Sequence, residues 1–213
     1  MNILRSILLC LSLILSSFTS LGSSDAQVYA TKANDLPITN IHGSYVVNPH
    51  NTEALIGMVD YVFVGKVTEL NGTQYKNVVT FKNDDGTERK AGTPYTVYTI
   101  EITENIKGSL TTENPIVIAK KGGLAIDEKS VYLFENDELP QVGCSYIFLA
   151  YAQKDGSLLV SGANSNILIE EGDTSIIDEY RAAYENEIPY ERPRYTSIYE
   201  VKPEDAEPIA AQP

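Results

Sequence analysis

Cysteine is nearly absent from this chain: Cys10 and Cys144 are the only two among 213 residues. Cys10 lies in an apolar N-terminal stretch that we expect to be removed, and the one remaining thiol cannot close an intramolecular disulfide. An extracellular domain without disulfides has to rely on its packed core, which is more typical of a bacterial protein than of an animal one. Cys144 opens an apolar run, where a buried structural cysteine is far more common than a catalytic one.

Histidine is equally scarce, and tryptophan is absent. His42 and His50 have a spacing that matches no common zinc motif, so we expect neither a metal site nor a cofactor. The chain also lacks a Gly-x-Ser-x-Gly elbow and a phosphate-binding loop. We therefore expect a non-catalytic protein. A hydrolase that uses two of the abundant carboxylates stays open as an alternative, because the sequence gives no way to choose a pair.

Basic residues are outnumbered, with 16 Lys and Arg against 29 Asp and Glu and a net charge of −13. Such a charge repels nucleic acids and anionic membrane surfaces, so we expect neither as a partner. The partner that remains is an unknown protein or a cell-envelope polymer. The oligomeric state is left open.

The N-terminus carries the localisation signal. One positive charge at Arg5 precedes an apolar run over residues 6–21, which is short for a membrane span. Small residues follow it, and cleavage after Ala26 or Ala30 fits the small-x-small pattern. The sequence predicts a signal peptide over residues 1–26 and a secreted protein with no membrane attachment after cleavage.

Four segments follow from the composition: the signal peptide 1–26, an extended entry segment 27–50, a folded domain 51–187 and a disordered, acidic, proline-rich tail 188–213. Two helices are expected in the domain. The first covers residues 51–60, capped by Asn51 or Thr52. The second runs from Ser175 to about Asn186, and an apolar stripe that includes Ile176, Tyr180 and Tyr184 lies along one side of it.

The stretch of residues 60–70 is apolar on both faces at its start, which predicts a doubly buried first strand. Gly65 in its middle predicts a bend or bulge. Asn71-Gly72 predicts a turn, residues 75–82 a second strand, and residues 83–86 a turn at an exposed hairpin tip.

Residues 95–106 give the clearest strand, because apolar and polar residues alternate with a period of two. Tyr98, Ile100 and Ile102 face the core in this interpretation. The polar side of the strand is our candidate partner-binding face, together with the rim loops 83–93 and 135–143. The residues assigned to that face are Thr96, Thr99, Glu101 and Thr103.

Further strands are expected over residues 114–120, 144–152, 158–161 and 166–170, with a tight hairpin at Asp155-Gly156. Five or six strands, two of them buried on both faces, predict a mainly β fold. The predicted architecture is a small closed antiparallel OB-like β-barrel with an N-terminal edge helix and a C-terminal helix.

Three motifs resemble one family. They are Asp60-Tyr-Val-Phe-Val-Gly-Lys-Val, then Tyr95-Thr-Val-Tyr-Thr-Ile-Glu-Ile with Ile106-Lys107-Gly108, and finally Tyr146-Ile-Phe-Leu-Ala-Tyr with Asp155-Gly156-Ser157-Leu158. In this order they are similar to the netrin-module and tissue-inhibitor-of-metalloproteinases group of OB-fold domains, over about residues 51–161.

The resemblance implies an OB fold but not the inhibitory activity of that group. Inhibition there depends on an N-terminal cysteine that chelates the zinc of the protease. Neither Gln27 nor Thr31, the two expected new N-termini, is a cysteine. No functional residue is therefore carried over. A secreted protease inhibitor or regulator with a mechanism that does not use cysteine is an alternative function.

Overall fold

A computed structural model describes residues 36–202. The predicted signal peptide, most of the entry segment and the end of the predicted tail lie outside the described residues. Within them the protein is mainly β, as predicted, with two helices. The elements in chain order are β1 (Ile38–Ile41), α1 (Thr52–Met58), β2 (Tyr61–Lys82), β3 (Glu88–Lys107), β4 (Ile116–Lys121), β5 (Gly123–Leu124), β6 (Val131–Phe134), β7 (Ser145–Ala152), β8 (Leu158–Val160), β9 (Asn166–Leu168) and α2 (Ser175–Glu185).

Strands β2 and β3 form one long antiparallel hairpin that pairs from Val62 and Lys107 at its base to Lys82 and Glu88 at its end. The turn predicted at Asn71-Gly72 is wrong, because β2 continues through it. The register shifts there, and Gly72 has a φ of +100°. The left-handed backbone that glycine tolerates is used for a β-bulge instead of a chain reversal.

The larger sheet has the order β2-β3-β4-β8-β7-β9, and β2 also pairs with β7. The pairings β2–β3, β3–β4, β7–β8 and β2–β7 are antiparallel. Strands β4 and β8 are parallel, so the prediction of a purely antiparallel arrangement is wrong at that pair. A three-stranded sheet, β1-β6-β5, lies beside the larger one.

The bulge predicted at Gly65 is confirmed by a register shift between Val64 and Gly65. A Cβ atom at position 65 would lie 2.5 Å from Cγ2 of Ile100, which is fully buried on β3. Glycine is therefore needed here because the two strands approach each other closely.

The start of β2, over residues 61–65, and most of β7 are buried on both faces, as their composition predicts. Phe63 of β2 and Phe148 of β7 belong to an inner cluster, and their ring centroids are 5.4 Å apart. Val62 and Ile147 face the other way and belong to a second cluster with the helices. Because successive side chains alternate across a strand, a continuous apolar run supplies both clusters.

Both predicted helices are present. Asn51 caps α1, and its side-chain oxygen accepts a hydrogen bond from the Ala54 N–H at 2.9 Å. Helix α2 buries Ile177, Tyr180 and Ala183, whereas Tyr184 of the predicted stripe is 37 % exposed. The buried stripe therefore follows the i, i+3, i+6 positions.

Candidate functional site

Thr96 does not belong to the predicted binding face. It is fully buried, and its hydroxyl donates a hydrogen bond to the Gly122 carbonyl at 2.8 Å. Even-numbered positions from 96 to 102 point inward, so Thr96 shares the core face with Tyr98 and Ile100. The sequence pattern itself predicts this burial, because the period of two that places Tyr98 inside also places Thr96 inside.

The other three predicted residues, Thr99, Glu101 and Thr103, lie on the outer side of β3, and we call them the polar strip. The hydroxyls of the two threonines donate hydrogen bonds to the neighbouring strand β2. Thr99 donates to the Asn71 side chain at 3.1 Å, and Thr103 donates to the Val64 carbonyl at 3.3 Å. The strip therefore presents mainly the Glu101 carboxylate to a partner.

A larger exposed surface lies at the far end of the β2–β3 hairpin. Every residue from 76 to 90 is exposed, and we call this segment the hairpin arm. With about 3.4 Å per residue, the seven strand residues 76–82 give it a length of about 20 Å. The sequence predicts a rim loop over residues 83–93. The structure confines the turn to residues 83–87, because β3 begins at Glu88.

The two faces of the hairpin arm differ. Directly paired residues share a face. Val79 pairs with Ala91 and Phe81 pairs with Arg89, so these side chains form an apolar face with one arginine, whose guanidinium lies 5.1 Å from the Phe81 ring centroid. The opposite face carries the polar side chains of Thr80, Lys82, Glu88 and Lys90.

The apolar face is exposed to solvent although its side chains are large and hydrophobic. Val79 is 52 % exposed and Phe81 is 43 % exposed. The arm carries four basic and three acidic side chains, so its charge of about +1 contrasts with −13 for the whole chain.

The tip of the arm is stabilised by hydrogen bonds among its own residues. Hydrogen bonds from Thr87 to the Asp85 carboxylate, at 2.6 Å from the hydroxyl and 2.9 Å from the N–H, lower the pKa of Asp85.

The second predicted rim loop, residues 135–143, is anchored by a buried ion pair. Nζ of Lys120, at the end of β4, lies 2.8 Å from each carboxylate oxygen of Asp137. The two side chains are 0 % and 2 % exposed. Burial lowers the pKa of Lys120 and raises the pKa of Asp137, because both charged forms lose their hydration.

Residues 187–202, which we call the C-terminal strap, contradict the predicted disordered tail as far as they are described. Arg192 and Arg194 of the strap, together with Lys107 of β3, donate hydrogen bonds to the carbonyls at the end of α1. The bonds are Lys107 Nζ to Ile56 O (2.8 Å), Arg194 to Gly57 O (2.6 Å) and Val59 O (2.8 Å), and Arg192 Nε to Met58 O (2.6 Å).

Farther along, the strap packs on the start of β2. The Ser197 N–H donates to the Tyr61 hydroxyl at 2.9 Å, and that hydroxyl donates to the Glu200 carboxylate. Burial, followed by this hydrogen bond to Glu200, raises the pKa of Tyr61. The proline and glutamate content of this segment predicted disorder. Composition does not show that hydrogen-bond acceptors in distant parts of the chain lie within reach of the strap.

A shallow depression of about 620 Å³ lies between the strap and the base of the hairpin. It contains several carboxylates, but three of them are already held: Asp60 by Arg192 and Arg194, Glu187 by Lys107, and Glu200 by Tyr61. Paired carboxylates of this kind stabilise structure and do not form a free acid–base pair for hydrolysis.

Comparison with protein-family models gives no match, and comparison with curated proteins also gives none. Within residues 36–202, neither helix has the length and hydropathy that a membrane crossing requires.

Proposed function

We propose that the protein is a secreted, non-catalytic binding module that recognises another protein through its hairpin arm. The single observation that carries this proposal is the exposed apolar face of the arm. Large apolar side chains that are exposed together on a projecting element are typical of interaction surfaces. The arm therefore replaces the polar strip as the first candidate.

The proposal includes an OB-type barrel as the scaffold. The pairings run from β2 through β3, β4, β8 and β7 and return to β2, and they surround the inner apolar cluster. A five-stranded ring of this kind is expected for an OB fold. The same features support the proposed relationship to the netrin-module group, which covers the scaffold and not the zinc-chelating cysteine.

A protein partner fits the arm better than a polysaccharide does. A two-stranded ribbon is marginally stable in water by itself, and its outer edges offer unpaired backbone groups. A partner can cover Val79 and Phe81 and add hydrogen bonds at an edge in one step. The slight positive charge of the arm favours a partner with an acidic rim around an apolar groove.

The test is affinity capture from the native culture with three versions of the purified mature chain. The first is unchanged, the second carries Val79→Ser with Phe81→Ser, and the third carries the matched changes Thr80→Ser and Lys82→Ser on the opposite face. We expect the first and third to capture the same protein. The second should bind it at least about tenfold more weakly, as expected for the loss of apolar anchors.

Equal capture by all three versions, or no protein captured by any, would refute the arm as the binding surface. A fourth version with alanine at Thr99, Glu101 and Thr103 tests the polar strip. If only this version loses the partner, the strip binds it and the arm does not. The alternative functions, a protease inhibitor without a cysteine mechanism and a hydrolase, predict inhibition or turnover in assays of the unchanged chain.

A further inference from the structure

The buried pair of Lys120 and Asp137 holds an amine and a carboxyl group at a short distance from each other. The amine nitrogen is 2.8 Å from both carboxylate oxygens. Equal distances to the two oxygens place this nitrogen no more than about 3.2 Å from the carboxyl carbon, within the range of about 3–3.5 Å for reacting atoms. The two groups are therefore held at a distance from which a bond between them can form.

The surroundings isolate the pair from water. Nζ of Lys120 also contacts the Ser165 hydroxyl at 2.8 Å and approaches the Gly162 carbonyl at 3.5 Å. Lys120 is fully buried, and Ser165 is 4 % exposed. The exclusion of water removes the competing hydrolysis that makes amide formation unfavourable in solution.

We propose that Lys120 and Asp137 form an intramolecular amide (isopeptide) bond after folding. The lone pair on Nζ attacks Cγ of Asp137, which requires the carboxyl group to turn about the Cβ–Cγ bond so that its face meets the nitrogen. The C–N bond forms and one C–O bond breaks. The proton that the nitrogen loses goes to the departing hydroxyl group, so one water molecule leaves. No oxidant, reductant or cofactor is consumed.

The protonation states in the site suit this reaction. The attack needs a neutral amine and a neutral carboxyl group, which is the ion pair after one proton has moved from nitrogen to oxygen. Burial lowers the pKa of Lys120 and raises the pKa of Asp137, and both changes favour that neutral form. The Ser165 hydroxyl accepts a hydrogen bond from the nucleophilic nitrogen at 2.8 Å and donates one to the Gly162 carbonyl at 2.6 Å, so it holds the nitrogen in position.

The bond would have a structural purpose in this chain. It would join the end of β4 to the loop of residues 135–143, and so would close a covalent loop where no disulfide is available. Cys144 is the one cysteine in the described residues, so no disulfide forms among them. An amide cross-link is insensitive to reduction, which suits an extracellular protein that lacks disulfides.

The test is a peptide map of the unchanged chain after denaturation and trypsin digestion. Trypsin does not cleave after a lysine whose side chain is an amide. We therefore expect residues 108–121 joined to residues 130–154, with a mass one water below the sum of the two peptides. Fragmentation should place the link at Lys120 and Asp137. Because an ion pair dissociates on denaturation, only a covalent bond gives this product.

The matched control is Lys120→Arg, which keeps the positive charge beside Asp137 but removes the nucleophilic amine. It should give the two peptides separately, and Asp137→Ala should do the same. Separate peptides of unmodified mass from the unchanged chain would overturn the proposal. This readout does not depend on whether either variant folds, and it is independent of the partner-binding experiments.

Discussion

Asp60 joins three parts of the fold, so its removal is the most informative test of how the strap is held. Its side chain is 6 % exposed. The carboxylate lies 2.6 Å from Arg192 and 3.1 Å from Arg194, and it accepts a hydrogen bond from the Ala152 N–H at 2.9 Å. We expect Asp60→Ala to destabilise the domain strongly.

The magnitude follows from what the change leaves without a partner. The buried Ala152 N–H loses its acceptor, which costs about 1–3 kcal/mol. Arg192, which is 16 % exposed, keeps its bond to the Met58 carbonyl but loses its anion. Breaking a buried pair from one side costs about 3–5 kcal/mol in total. For a domain of this size the melting temperature should fall by about 10 °C.

The assay is urea unfolding followed by circular dichroism, with thermal melting as a second measurement. Asp60→Asn separates the two contributions, because its amide oxygen can still accept from Ala152 while the charge is gone; its loss should be clearly smaller. Asp178→Ala is the control, since Asp178 also pairs with an arginine but is 70 % exposed. A loss below about 1 kcal/mol for Asp60→Ala would refute the reasoning, because a hydrated pair contributes no more than that.

Two further predictions concern the core. Gly65→Ala places a methyl group 2.5 Å from Cγ2 of Ile100. This substitution should lower the free energy of unfolding by about 1–3 kcal/mol in the same urea assay. An unchanged unfolding midpoint would mean that the two strands can move apart at this position. Burial raises the pKa of Tyr180 to about 12 from 10.0, so the folded state holds this proton more tightly than the unfolded state does. Stability from this group is complete below pH 10 and is lost as the pH rises towards about 12; Tyr180→Phe should flatten that decline in pH-dependent unfolding, and an identical slope would contradict it.

Much of the local structure was predictable from local signals. Asn51 correctly predicted the start of α1, and Asp155-Gly156 correctly predicted the hairpin between β7 and β8. Thr96 was wrongly assigned to the binding face, although the period of two in this strand already placed it on the core side. Gly72 shows a real ambiguity: a left-handed glycine serves a turn and a β-bulge equally well, and only the partner strand decides between them.

The candidate surfaces were less accessible to sequence reasoning. Residues 75–82 were predicted as a strand and residues 83–86 as a hairpin tip, but residues 88–93 were assigned to a rim loop, because they show no alternation of apolar and polar side chains. Their strand conformation comes from pairing with β2 and not from an apolar face of their own. Likewise, Lys120 is charged and stands in a Lys-Lys-Gly-Gly stretch, which gives no sign that it is fully buried.

The sequence by itself determined the mainly β class, the segments of β2 and β7 that are buried on both faces, and the two helices. These features follow from side-chain periodicity and from backbone preferences within a few residues, which act before any distant contact forms. Only the tertiary structure decided that the C-terminal strap docks and that Lys120 meets Asp137. The arginines of the strap bond to carbonyls more than 130 residues earlier in the chain. Whether such acceptors lie within reach depends on how the elements pack together.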